Sequence, residues 1–356
     1  MPYFFNFNFF ACLCLLLCLG IANQAVAQPL SSPQYNLAIS FDIDNNQVIG
    51  TAKIVIPKET PVFFSLTQLT VTGAFIQQEE GVEKELYPQD NQLNFSSSSK
   101  KRTLFISYIK DVRHEYSNLL SDNGISLTTN WYPYPSESYI FSLSAQLPNN
   151  FSGISQSDSF PLETLAGITK SHWSQPTQDI YFNAGPYVMS KLRVRDNLYV
   201  YSMFFKEDKE LAQGYLTAAS AYIKKYEKEI ATYPYAHYVI VANRLPTGYG
   251  MPTFTLLGQM VLRLPFIKSS SLGHEILHSW FGNDVEVDYE DGNWCEGLTS
   301  FLADHAYRDA EGKGVEDRKD SLIKYHSYVN NSDTKPFTMK DFKSASHNQP
   351  MADAKR

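Results

Sequence analysis

Residues 274–283 read His274-Glu275-Ile276-Leu277-His278-Ser279-Trp280-Phe281-Gly282-Asn283. On a helix, positions i and i+4 share a face, so His274 and His278 can present both imidazoles to one ion. Glu275 falls about 100° round from His274 and about 60° from His278. Its carboxylate can reach a water on such an ion without being a ligand. Leu272, Ile276 and Trp280 fall on the far side of the same helix and predict burial against a core. An amphipathic helix with two polar histidines is the plain alternative.

The pattern H-E-x-x-H is that of the zinc-protease helix. A catalytic zinc takes three protein ligands and keeps one position open. A third ligand is therefore expected downstream, on a second helix. Glu296 opens such a segment, with Leu298, Phe301 and Leu302 spaced for one apolar face. The competing reading is structural: Asn293 as an N-cap, with Glu296 three residues later completing a capping box. Cys295 reads as a buried thiol, and His305 as a surface residue, with a partner to a metal ligand as the alternative. Tyr307, Tyr325 and Tyr328 read as helix-surface or core aromatics. His114, His172, His237, His326 and His347 have no partners at ligand spacing.

Upstream of this helix, residues 245–252 are rich in Gly and Pro and predict a loop, preceded by a strand at 238–242. Residues 209–231 carry helix formers with helical apolar spacing, ended by Pro234. Before about residue 206 the texture is β. Residues 35–43 alternate apolar and polar, an Asp-Asn-Asn turn follows, and 51–56 reads as the return strand of a hairpin. Further strands are expected at 62–66, 69–76, 104–109, 140–147, 180–188 and 192–205. Ser96 to Arg102 reads as a solvated loop, and residues 131–135 as a loop packed on the sheet.

The 356 residues are 43% apolar and 19% charged, a globular composition that argues against disorder and coiled coil. The formal charge of −7 gives no reason to expect nucleic acid, which needs clustered Lys and Arg. Residues 1–27 contain no Lys, Arg, Asp or Glu. Their apolar run at 9–21 and the Ala25-Val26-Ala27 site read as a secretory signal peptide. The protein is therefore expected to be exported, with membrane association only if the leader stays uncleaved. Cleavage removes Cys12, Cys14 and Cys18 and leaves Cys295 without an internal disulfide partner.

The stretch H-E-I-L-H-S-W-F-G-N at 274–283, with W-C-E-G at 294–297, resembles the aminopeptidase N family of gluzincin zinc metallopeptidases. The family separates its second histidine and its glutamate by eighteen residues; here seventeen lie between His278 and Glu296. The resemblance implies an α+β chain with an N-terminal β-sheet domain and a thermolysin-like catalytic domain, incomplete at the C-terminus. It implies one Zn2+ on His274, His278 and Glu296, Glu275 as general base, and a peptide laid beside residues 248–251. Two departures stand out. Where the family has G-x-M-E-N, this chain has Gly248-Tyr249-Gly250-Met251-Pro252, so a proline replaces the glutamate that holds a substrate amine. The family's Y-x-K-G-like tyrosine and its helical C-terminal domain have no counterpart in the sequence.

The resulting expectation has three segments: a signal peptide (1–27), a β domain (28–206) and a zinc metallopeptidase domain (207–356). Its function is peptide-bond hydrolysis of an aminopeptidase-like kind. An endopeptidase or other small-substrate hydrolase is the alternative, and so is a non-catalytic binding protein that keeps zinc. The expected substrate-binding residues are Gly248, Tyr249, Gly250 and Met251.

Overall fold

The hairpin at the start of the chain seeds the largest sheet. Gln34–Asp42 and Gln47–Ile56 pair antiparallel, and Tyr35, Leu37 and Ile39 alternate inward while their neighbours face out. Period-two alternation of this kind is what a sheet with one buried face requires. The computed structural model describes residues 32–78, 81, 83–246, 248–288, 292–331 and 338–341. The leader read at 1–27, with three of the four cysteines, lies outside the described residues, and so does His347.

Among the described residues, eight strands make this sheet. Gln34–Asp42 sits at its centre, parallel to Tyr139–Gln146 and antiparallel to Gln47–Ile56. Ile168–Thr177 extends one side and Arg102–Asp111 the other. Two smaller sheets of three and four strands complete the β-rich first half. Trp131 and Tyr132 pack into the core there, and the Trp131 indole N–H donates to Ile180 O at 2.9 Å. Arg102 departs from the solvated loop expected for it. It opens a strand, is 8% exposed, and donates from Nη2 to Thr60 O at 3.0 Å.

A five-stranded sheet positions the helices. Its order is Tyr187–Arg195, Leu198–Phe205, His237–Asn243, Phe254–Gly258, Gly248–Met251. Every residue of His237–Asn243 is buried, because both faces of this central strand are covered. Tyr238, Ile240 and Ala242 pack on the helical side. Val239 and Val241 pack on the other face with Ile154, Met203, Met251 and Phe254.

On the helical side, α1 (Ala212–Glu229) buries Ala212, Tyr215, Leu216, Ala219, Ile223 and Tyr226. That i, i+3, i+4, i+7 spacing is the apolar stripe of a surface helix. Next come α2 (Ser271–Leu277), α3 (Cys295–Ser300), α4 (Ala306–Ala310) and α5 (Gly314–Asn331). The result is a strand-rich α+β fold. No helix among the described residues is long and apolar enough to cross a membrane.

Two expectations change. Residues 192–205 are not one strand but the arms of a hairpin, turning at Asp196 and Asn197, where Asn197 has φ 59. Residues 245–252 are not all loop: Gly248–Met251 is a strand, paired antiparallel with Phe254–Gly258 through a turn at Pro252 and Thr253. Two glycines masked its strand character, since glycine has little β propensity of its own. Residue 206 falls between two neighbouring strands of this one sheet, Leu198–Phe205 and His237–Asn243, which pair in parallel. The change of texture there marks the start of a crossover helix within the sheet.

Candidate metal centre

Helix α2 is short and carries its chemistry on one side. Leu272, Ile276 and Leu277 are fully buried, and Trp280 just beyond is 3% exposed, its indole N–H donating to Ala231 O at 3.0 Å. These contacts fix the helix against α1 and leave His274, Glu275 and His278 facing a cleft of about 840 Å³. After His278 the chain must turn away sharply. Gly282 has φ +102, a region most side chains avoid, and a Cβ there would also lie 2.7 Å from Cys295 Sγ. The turn closes with the Gly282 N–H donating to Val285 O at 2.9 Å.

Helix α3 brings Glu296 opposite. His274 Nε2 lies 3.5 Å from Glu296 Oε2, and His278 Nε2 lies 3.5 Å from Glu296 Oε1. Ligand atoms of the three residues all lie within 4.8 Å of one another. Two bonds of about 2.05 Å meeting at the tetrahedral angle leave their donor atoms roughly 3.3 Å apart. Two imidazole nitrogens and a carboxylate at this spacing therefore fit a tetrahedral zinc with one position left open.

The outer ring nitrogens are committed elsewhere. Nδ1 of His274 donates to Asp304 Oδ2 at 2.8 Å, and Nδ1 of His278 donates to Phe281 O at 3.1 Å. An ionised carboxylate and a carbonyl only accept, so each Nδ1 carries a proton, and a cation bound at Nε2 would take the place of any proton there. Burial disfavours charge on His274, yet Asp304, Glu296 and Glu275 together raise its pKa to about 10. Carboxylates that pull a proton onto a buried imidazole provide the negative surroundings that a divalent cation requires.

Cys295 is a bystander thiol. Burial, then the charge of Glu296, pushes its pKa up to about 12, and Sγ donates to Phe281 O at 3.1 Å. Asn293 Oδ1 accepts from the Cys295 N–H at 3.1 Å, so it caps the turn into α3 while Glu296 faces the histidines.

Glu275 is half-buried and stands outside the His–His–Glu set, beneath the strand Gly248–Met251. A Cβ at Gly250 would lie 2.9 Å from Glu275 O and 3.0 Å from Glu275 Oε2. The strand thus runs as close over the helix as glycine allows. Of the four residues read as substrate-binding, Gly248, Tyr249 and Gly250 line the cleft, while Met251 is 3% exposed and packs into the core.

Two features escape a reading of the sequence. Asp304 grips His274, yet in a regular helix it would sit about 80° off the face of Glu296. The far cleft wall comes from the β-rich half, where Trp173, Gln175, Asp179 and Tyr181 line the same cleft as the His–His–Glu cluster. Burial raises the Asp179 carboxyl above its ordinary range, against hydrogen bonds from Tyr181 and Tyr134. His305 also differs from its surface reading: its side chain is 13% exposed, with Nδ1 2.9 Å from Asp317 Oδ2 and Nε2 accepting from Arg318. Tyr307 hydrogen-bonds Tyr226 on the core side of the helix, and Tyr325 is exposed on α5.

No protein-family model matches the chain, and no curated protein matches it in sequence. Among solved structures, the chain is similar to an M1 zinc metallopeptidase from Deinococcus radiodurans, with a TM-score of 0.62 and 12% identity over 88% of this chain and 80% of that one. A point mutant of that enzyme gives a TM-score of 0.62 at 11% identity, with the same coverage. At such identity the likeness is one of fold: the strand-rich α+β architecture of a zinc metallopeptidase, here enclosing a His–His–Glu cluster.

Proposed function

We propose that this protein is a zinc-dependent metallopeptidase, aminopeptidase-like in architecture, with His274, His278 and Glu296 as metal ligands and Glu275 as general base. The observation that carries the reading is the placement of Glu275. It shares a helix with both histidines, stands outside the ligand cluster and faces the cleft. Likeness of fold to a zinc metallopeptidase supports it.

Bound zinc would supply Lewis acidity, polarising the scissile carbonyl and acidifying a water. Glu275 accepts the proton of the attacking water and passes it to the departing amine. Asp304 and Phe281 O hold the two imidazoles in the tautomer that presents Nε2. The edge strand Gly248–Met251 offers its backbone to an extended peptide as an added strand. Gly248, Tyr249 and Gly250 line that contact, and Met251 anchors the strand to the core.

A second reading, an endopeptidase or another small-substrate hydrolase, is favoured by Pro252, which lines the cleft and offers no carboxylate to a substrate ammonium. A third, a binding protein that keeps zinc without turnover, differs in its response to one substitution. Turnover of a peptide panel by the wild type and by Glu275→Gln, with zinc content measured alongside, separates them. We expect Glu275→Gln to keep its zinc and to lose at least about a hundredfold in kcat. Unchanged turnover, or loss of zinc, would remove Glu275 from its role. The leader read at 1–27, and not the site, makes the protein an exported one acting on peptides outside the cytoplasm.

A further inference from the structure

The backbone stays helical from 295 to 310, but not as one regular helix. The Ala306 N–H reaches Phe301 O, five residues back, so Phe301–His305 forms a π turn between α3 and α4. This matters for phase. Asp304 stands eight positions after Glu296, which is about 800° in a regular α-helix, or about 80° off the shared face. The extra residue of a π turn sets the phase back by about 100°, leaving Asp304 about 20° from Glu296.

The consequence is visible on His274. Glu296 Oε2 lies 3.5 Å from its Nε2, and Asp304 Oδ2 lies 2.8 Å from its Nδ1. Two carboxylates of one helix hold opposite edges of one imidazole. In an unbroken helix Ala303 would take that phase; it is fully buried and has no polar side-chain atom to offer.

We propose that the π turn at 301–305 is a positioning device for the metal site, bringing Asp304 into phase with Glu296 so that Asp304 sets the orientation and tautomer of His274. The inference rests on reading His274, His278 and Glu296 as a metal site. Asp304 acts through His274 and is a positioning residue. Partners of this kind are worth about 10–100-fold in metal affinity, and π turns gather at functional sites.

The test measures zinc affinity of the full chain by competition with a chelator, the absorption spectrum of the cobalt(II)-loaded protein, and the melting temperature of the metal-free protein. Asp304→Asn should weaken zinc binding by about 10–100-fold and shift the cobalt spectrum. Deleting Phe301, the residue of the turn that is 60% exposed, should restore a regular helix. Asp304 then stands seventh after Glu296, about 20° off its face, and zinc affinity should stay within about threefold of the wild type. Inserting one alanine after Phe301 should turn Asp304 away by about 100° and reproduce the loss.

Asp304→Asn with wild-type zinc affinity and spectrum would overturn the proposal, whatever the length variants do. A Phe301 deletion that fails to fold, or that folds and loses zinc as Asp304→Asn does, would overturn the phase argument. Failure of the metal reading looks different, because the wild type itself would then bind no zinc.

Discussion

Gly250→Ala tests the closest approach in the site. Gly250 has a φ outside the left-handed region, so alanine meets no backbone strain and only its Cβ matters. That carbon would sit 2.9 Å from the Glu275 carbonyl oxygen, 3.0 Å from Glu275 Oε2 and 3.1 Å from His278 Cβ. Ordinary contact begins near 3.4 Å, so the strand must lift or Glu275 must move by roughly half an ångström. The carboxylate can swing away, but the carbonyl belongs to a helix packed on the core. Overpacking of this sort costs about 1–3 kcal/mol. A misplacement of 1 Å near reacting groups costs about a hundredfold in rate, so about a ten- to hundredfold fall in kcat is expected. Zinc content should hold, since the Nε2 atoms and Glu296 are untouched. Gly248→Ala is the control for packing: its Cβ would meet only Glu275 Oε1, at 3.9 Å, and should leave the melting temperature unchanged. Peptide turnover, zinc equivalents and melting temperature are measured for both. Full rate in Gly250→Ala, or equal losses of melting temperature in the two variants, would refute the argument from contact.

Other expectations follow from burial and charge. His237 is 3% exposed, stacks on Phe160, and neither ring nitrogen has a hydrogen-bond partner among the described residues; burial lowers its pKa to about 4. The unfolded chain then binds the proton more readily, so stability is full above about pH 6.5 and falls as pH drops to about 4, by up to roughly 3 kcal/mol. Melting curves of the wild type and His237→Phe should diverge in that window, and parallel curves would remove His237 as the cause. With Pro252 in the cleft, N-acetylated peptides should be cleaved within about tenfold of their free-amine forms; a strict need for the amine would place an acid such as Asp179 in that role. Ile276→Ala, at a fully buried position behind the histidines, should cost about 2–5 kcal/mol in denaturant unfolding; a cost below about 1 kcal/mol would mean that the helix is not anchored there.

Much of the site was legible because it is local. The i, i+4 spacing of His274 and His278 needs only a helix, and the apolar residues at 272, 276 and 280 say which side is buried. Glu296 was legible as the first charged residue of the next helical pattern. Asp304 was not, because a regular period carries it away from Glu296 and nothing local announces a π turn. The strand Gly248–Met251 reads as loop in the sequence because its pairing partner, Phe254–Gly258, holds it by backbone bonds that leave no mark on side-chain pattern. Charge predicts water around Arg102 and His305, whereas a carbonyl 42 residues away and an aspartate on α5 hold them.

The sequence by itself determined the alternation of the opening hairpin, the stripe of α1, and a helix offering two imidazoles and a carboxylate side by side. These follow from periods of two and 3.6 residues, which each segment carries within itself. Only the tertiary structure decided that Glu296 closes on both histidines, that a strand runs within a Cβ of Glu275, and that residues 173–181 wall the cleft. Those arrangements join segments tens to a hundred residues apart. Packing selects them, because each pays off only when both partners are already in place.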